Sequence, residues 1–298
     1  SYGGCNFSAR PVDMHIAAAR ALGATLDGET LVAPRLTSGK ISFHTVSVGA
    51  TVNALFLASS ATGESVIENA AIEPHVLALA HFLRTAGAKI AIDGRTVRVT
   101  GSPLHGGHAD VIPDMIEAGT YLLAAPMTGG TVRVHGARAE ELSALTDALT
   151  LSGVEVEEKD GVLSARGRPC RPIRVVTSPH PGFATDLHPP IAPLLALGEG
   201  GRIREGVFPE RFGYLSELAR FGLVSSVDGN TAEIFPSRFH AACARATDLR
   251  GGVAAVLCAL AVEGKSEISD AGKILRGYEG FAGKLTALGA KIRLETEP

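Results

Sequence analysis

A cysteine stands behind two glycines, Gly3-Gly4-Cys5, five residues ahead of Arg10 and the run Pro11-Val12-Asp13. Glycine frees the backbone, so this is the composition of a mobile loop that brings a thiol and a positive charge to an anion. Further arginines fall where loops give way to helices: Arg211 in Pro209-Glu210-Arg211-Phe212, Arg250 in Thr247-Asp248-Leu249-Arg250, and Arg276 in Leu275-Arg276-Gly277-Tyr278. A guanidinium fork matches a carboxylate or a phosphate, and a helix N-terminus adds donors for the same anions. Any one of these arginines alone reads as ordinary solvated surface. At equivalent points of a repeat, several can converge on one small dianion. Asp186, in Gly182-Phe183-Ala184-Thr185-Asp186-Leu187, puts a carboxylate at an expected helix start. As a base it accepts a proton from a hydroxyl. As a helix cap it needs no function, and the spacing by itself favours the cap.

Other patterns carry less. Most cysteines are inert core residues, and only the glycine neighbours of Cys5 set it apart. Gly198-Glu199-Gly200-Gly201 follows a helix and precedes a strand, the wrong order for a dinucleotide fingerprint. His105 and His108 lie in a Gly-rich linker with no cysteine nearby and read as solvent-exposed. His180 and His188 flank Asp186, but the prolines and glycine between them leave their directions open. Glu155, Glu157, Glu158 and Asp160 read as the solvated side of a hairpin.

The elements that position these residues form a repeat. Gly23, Gly87, Gly153, Gly222 and Gly289 each close an amphipathic stretch, 64 to 69 residues apart, as left-handed helix caps do. Beyond each of the first four, two β-prone runs flank an Asp-Gly pair: Asp27-Gly28, Asp93-Gly94, Asp160-Gly161 and Asp228-Gly229. Asp-Gly between alternating apolar runs predicts a hairpin. Upstream lies an Ala/Leu-rich segment, a Gly-containing turn and a β-prone run. The module is thus helix, strand, helix, hairpin, with a first helix apolar nearly all round and therefore buried. Complete modules are expected to end near residues 101, 167, 236 and 298. The best linker is Gly101–His108, which predicts an incomplete first domain over residues 1–110, with one and a half modules, and a second of three modules over residues 111–298.

Composition narrows the function. The chain has 298 residues, is 45% apolar and 20% charged, and carries a net charge of −3. Such a balance points to neither nucleic acid nor an acidic membrane surface. Absent Trp and sparse aromatics argue against stacking platforms for single strands. No apolar run is long enough to span a bilayer. The four cysteines lack zinc spacing, which fits reduced thiols in the cytoplasm.

With these residues assembled, the chain resembles the UDP-N-acetylglucosamine enolpyruvyl transferases along nearly its whole length. The motifs are Gly3-Gly4-Cys5 with Ala9-Arg10-Pro11-Val12-Asp13-Met14-His15, Val46-Ser47-Val48-Gly49-Ala50-Thr51, Ile67-Glu68-Asn69-Ala70-Ala71, Pro113-Asp114 with Ile116-Glu117-Ala118-Gly119-Thr120, Thr185-Asp186, Val207-Phe208 with Arg211-Phe212, Ala246-Thr247-Asp248-Leu249-Arg250, and Arg276-Gly277-Tyr278-Glu279. The resemblance implies an α/β fold, an inside-out α/β barrel of such modules in each of two domains, with the active site in the cleft between them. It implies a transferase that moves enolpyruvyl from phosphoenolpyruvate to the 3-hydroxyl of UDP-N-acetylglucosamine and releases phosphate, in peptidoglycan precursor synthesis. No cofactor and no metal are expected, and neither nucleic acid nor membrane is a partner.

Residue roles follow from the same resemblance. Cys5 would protonate the methylene carbon of phosphoenolpyruvate or bond to it. Arg10 and Arg276 would hold the phosphate, and Arg211 and Arg250 the carboxylate. Asp186 would take the sugar-hydroxyl proton, with Asp248 nearby. Arg10 and Pro11 would enclose the uracil, Asp13 and Met14 would edge it, and Ser47, Val48 and Gly49 would meet the diphosphate. Val207 would also contact substrate. Family members run longer, so about a quarter is expected to be missing ahead of Ser1, and the 298 residues alone are expected to be inactive or weakly active. Half a barrel would invite a separate N-terminal chain or self-association. The chain also departs from the family pattern. Thr45 stands in place of a lysine, His188-Pro189-Pro190 of Gln-Ala-Gln, Met115 of an arginine, Leu275 of an acidic residue, and Gly251-Gly252 of Ala-Ser. Two alternatives follow: the same transfer to another uridine nucleotide in specialised metabolism, and a non-catalytic subunit.

Overall fold

A computed structural model describes residues 11–28 and 30–295. Cys5 and Arg10 lie outside the described residues. The chain divides into two compact units between Ile112 and Pro113, each with its own apolar core.

In the unit before Pro113, α1 (Asp13–Ala21) leads to a hairpin of β1 (Thr25–Asp27) and β2 (Thr30–Val32), which forms a sheet of its own. Next come β3 (Lys40–Ser42), α2 (Val48–Ser60), β4 (Glu64–Glu68), α3 (Pro74–Thr85), β5 (Lys89–Asp93) and β6 (Thr96–Thr100). Their sheet runs β3-β4-β6-β5. The β3–β4 pair is parallel, whereas β4–β6 and β5–β6 are antiparallel. Ile41, Ile67, Val97 and Val99 point from this sheet into the core beneath α2.

The unit after Ile112 opens with α4 (Met115–Thr128), β7 (Thr131–His135), α5 (Ser143–Ser152), β8 (Glu155–Lys159) and β9 (Val162–Arg166). It continues with β10 (Ile173–Val176), a 3-10 turn over Thr185–Leu187, α6 (His188–Leu197), β11 (Gly201–Arg204), the short α7 (Leu215–Leu218), β12 (Val224–Asp228) and β13 (Thr231–Phe235). Last come β14 (Cys243–Arg245), α8 (Leu249–Leu260), β15 (Glu267–Ser269), α9 (Gly272–Leu275) and α10 (Phe281–Ala287). The sheets are β7-β9-β8, β10-β11-β13-β12 and β14-β15.

The inner helices α4, α6 and α8 pack on one another, with the sheets outside them, which is the inside-out arrangement expected. Each is apolar nearly all round because each is buried nearly all round. In α8 every residue from Arg250 to Cys258 is buried. Close approach depends on small residues. A Cβ on Gly252 would stand 2.7 Å from Ala246 Cβ and from Ile274 Cγ1, so only glycine fits there without movement.

The repeat signals hold locally. Gly23, Gly87, Gly153, Gly222 and Gly289 have φ of 93°, 113°, 97°, 97° and 101°, the left-handed region where a Cβ is strained. The Asp-Gly pairs turn β1 into β2, β5 into β6, β8 into β9 and β12 into β13. Two features differ from expectation. A short strand precedes the inner helix of three modules (β3, β10, β14) and pairs in parallel with the strand that follows that helix. At three or four residues, these strands are too short to leave a periodic signal. The module after α8 has no final hairpin among the described residues, because 290–295 after α10 are irregular. That stretch contains no Asp-Gly pair.

Candidate active site

Asp186 does not cap a helix. It sits in the Thr185–Leu187 turn ahead of α6, and no side chain caps either element. The first turn of α6 instead tolerates Pro189 and Pro190 because its N–H groups need no intrahelical acceptor. The Asp186 carboxylate is gripped by two arginines, Arg211 from the loop after β11 and Arg250 from the first turn of α8. Arg211 Nη1 donates to Oδ1 at 2.7 Å. Arg250 Nε and Nη2 both reach Oδ2 at 3.0 Å. Arg211 and Arg250 are 3% and 8% exposed, whereas the Asp186 side chain keeps 38% of its surface in contact with solvent. Burial raises the Asp186 pKa, and the two guanidiniums more than reverse this, so the carboxyl stays below its ordinary range. Arg250 lies with its guanidinium carbon 5.1 Å from the centre of the Tyr278 ring, and its Nη1 is buried without a hydrogen-bond partner. Tyr278 in turn shares a 2.8 Å hydrogen bond with Thr120 of α4.

Behind this pair lies a polar network that motif reading left out. Glu205 follows β11 and is fully buried. Oε1 accepts from Thr177 Oγ1 at 2.6 Å and from the backbone N of Val207 and Phe208 at 2.7 and 2.9 Å. Oε2 accepts from Thr185 Oγ1 at 2.8 Å and faces His188 Nδ1 at 3.0 Å. Burial raises the Glu205 pKa, and these bonds, His188 first, override it and hold the value at about 2. His188, also fully buried, meets Tyr214 OH through Nε2 at 2.8 Å. Burial pushes the His188 pKa down against the upward pull of Glu205, which favours the neutral ring.

The fold thus brings Asp186, Arg211 and Arg250 together. Asp248 caps α8, its Oδ1 accepting from the backbone N of Arg250 and Gly251 at 3.0 and 3.2 Å. Arg276, at the end of α9, is exposed and makes no hydrogen bond or ion pair with a described residue. Val207 contributes its backbone N to Glu205. In the other unit, Ser47 caps α2 by accepting from Ala50 N at 3.3 Å, with Val48 and Gly49 in the first turn. Asp13 opens α1, Met14 is buried and Pro11 is exposed. His105 and His108 are exposed.

An α/β fold of this repeat, with a carboxylate clasped by two buried arginines, suits the handling of small anions. The family model for EPSP synthase (3-phosphoshikimate 1-carboxyvinyltransferase) matches residues 2–285. The chain belongs to this family of transferases. Within it, the chain is 44% identical to UDP-N-acetylglucosamine 1-carboxyvinyltransferase 3 of Caldanaerobacter subterraneus subsp. tengcongensis, over 97% of this chain and 72% of that protein. It is 40% identical to the UDP-N-acetylglucosamine 1-carboxyvinyltransferase of Trichlorobacter lovleyi, over 99% of this chain and 73% of that protein. Among solved structures it resembles the enolpyruvyl transferase NikO of Streptomyces tendae, with a TM-score of 0.87 and 28% identity, over 98% of this chain and 74% of that one. EPSP synthase of Acinetobacter baumannii shares the fold at a TM-score of 0.70 and 15% identity, over 96% of this chain and 72% of that one.

Proposed function

We propose that this chain transfers the enolpyruvyl group of phosphoenolpyruvate to the 3-hydroxyl of UDP-N-acetylglucosamine and releases phosphate, in cytoplasmic peptidoglycan precursor synthesis. The observation that carries this reading is the Asp186 carboxylate set between Arg211 and Arg250. The two guanidiniums already hold one carboxylate, the group phosphoenolpyruvate presents, and fixed charges of this kind orient a reactant at little reorganisation cost. Asp186 is the base. It accepts the proton as the hydroxyl oxygen bonds to C2 of phosphoenolpyruvate, while the methylene carbon takes a proton from an acid. Loss of phosphate and of a methyl proton then restores the double bond on the product. Cys5 is the acid in this reading. Arg10 and Arg276 serve the phosphate, and Pro11, Asp13, Met14, Ser47, Val48, Gly49 and Val207 serve the nucleotide sugar. The test is phosphate release from the two substrates by the full-length protein. Turnover with a carboxyvinyl sugar nucleotide as product is expected, and its absence with both substrates saturating sinks the reading.

The likeness to NikO and the exposed Thr45, just ahead of the α2 cap, favour a second reading in which another uridine nucleotide is the acceptor. Competing acceptors supplied with phosphoenolpyruvate discriminate: a reaction confined to the amino-sugar nucleotide removes this alternative.

A further inference from the structure

The transfer reaction gives no task to Glu205, His188 or Tyr214, yet they form one connected buried group with the base and an arginine. An ionised carboxylate only accepts hydrogen bonds, and this fixes the direction of every bond to Glu205. Thr185 must give its hydroxyl hydrogen to Glu205 Oε2. Its oxygen lone pairs then receive Arg211 Nη1 at 2.9 Å, the same nitrogen that holds Asp186 Oδ1. His188 must carry its hydrogen on Nδ1, and in the neutral ring that burial favours Nε2 accepts from Tyr214 OH. Phe212 closes the ring edge-on at 4.8 Å between centroids. The charged groups facing His188 are Glu205, Arg211 and Asp248.

We propose that Thr185, Glu205 and His188 are positioning residues of the transfer reaction. They lock the register between Arg211 and Asp186, so that the base and the carboxylate-binding cation are set by one buried charge. The Thr185 hydroxyl is the link, polarised by Glu205 to accept from Arg211 on its other side. His188 completes the shell of Glu205 and ties it to Tyr214, ahead of α7. A glutamine here carries amide donors and a carbonyl acceptor, the two functions that these partners need. A leucine satisfies neither.

The inference rests on the enolpyruvyl-transfer reading, and the experiment separates the two. Phosphate release and phosphoenolpyruvate binding are measured for the full-length wild-type protein and for Thr185→Val, Thr185→Ser, His188→Gln and His188→Leu, with a melting curve for each. Thr185→Val is expected to lower kcat by about 10- to 100-fold, the scale of a reactant misplaced by about 1 Å. It should also raise KM for phosphoenolpyruvate several-fold. Thr185→Ser should restore both to within about twofold at an unchanged melting temperature. His188→Gln should stay within a few-fold of wild type, while His188→Leu should fall with Thr185→Val. Nitrogen-15 spectra should show His188 neutral with hydrogen on Nδ1 from pH 5 to 9. Equal kinetics for wild type and Thr185→Val, or a His188 ring protonated near neutral pH, overturns the positioning role while leaving the reaction intact. A full-length wild-type protein that neither binds phosphoenolpyruvate nor releases phosphate removes the reaction, and the role with it.

Discussion

Asp186 has two opposed duties in the proposed reaction. It occupies the guanidinium forks that a substrate carboxylate needs, and it must also leave them enough to accept a proton. Asp186→Asn is therefore expected to cut turnover by about 10²-fold or more, while calorimetry shows phosphoenolpyruvate binding several-fold tighter. Weaker binding in that variant would mean that the aspartate helps to hold the ligand. Glu205 makes a prediction about stability. Its pKa is lower in the folded chain, about 2 against 4.5 for an unperturbed side chain. Its contribution is therefore present above pH 4.5 and is lost as pH falls towards 2. That depression corresponds to about 3 kcal/mol for a fully buried group. Glu205→Gln should lower stability at neutral pH and flatten its acid dependence, as read by urea melts across that range. Asp186, Arg211 and Arg250 were legible in the sequence because each belongs to a motif. Glu205, His188 and Tyr214 were not, since their partners lie 17 and 26 residues away and no spacing rule links them. The one available signal was a glutamate directly after the β-prone run of β11.

At the scale of elements, buried helices carry the site. Arg250 opens α8 and the Asp186 turn opens α6, so the packing of α6 on α8 sets the distance between base and cation. On its other side α8 packs against α9 and the loop after β14, and this leaves no room at Gly252, where an added methyl group meets Ala246 and Ile274. Gly252→Ala is expected to destabilise the chain by about 1–3 kcal/mol through overpacking, seen as a lower urea midpoint with an unchanged slope. A neutral result would mean that α8 and α9 shift apart freely. The Asp-Gly hairpins and glycine caps were readable because each depends on a few adjacent residues. The lead-in strands β3, β10 and β14 were not, since they are strands only by virtue of pairing with β4, β11 and β15.

At the scale of the molecule, each unit closes a separate apolar core: one runs from Met14 to Val99, the other from Ala118 to Leu285. The Asp186, Arg211, Arg250 and Glu205 group lies wholly within the second. Residues 113–298 expressed alone should therefore unfold cooperatively and keep His188 as the neutral Nδ1 tautomer by nitrogen-15 spectroscopy. Gradual melting, or a ring that titrates freely, would show that the group depends on residues 11–112.

The sequence by itself determined the module, its hairpins and caps, the buried inner helices, and the residues able to bind an anion. These rest on backbone conformation and hydrophobic periodicity, which act over a few residues. Only the tertiary structure decided that Asp186 faces two arginines instead of capping α6, that Asp248 caps α8, and that one buried glutamate joins Thr177, Thr185 and His188. Those outcomes depend on which side chains meet once α6, β11 and α8 are packed. A buried charge must then find its partners at whatever sequence distance the fold supplies them.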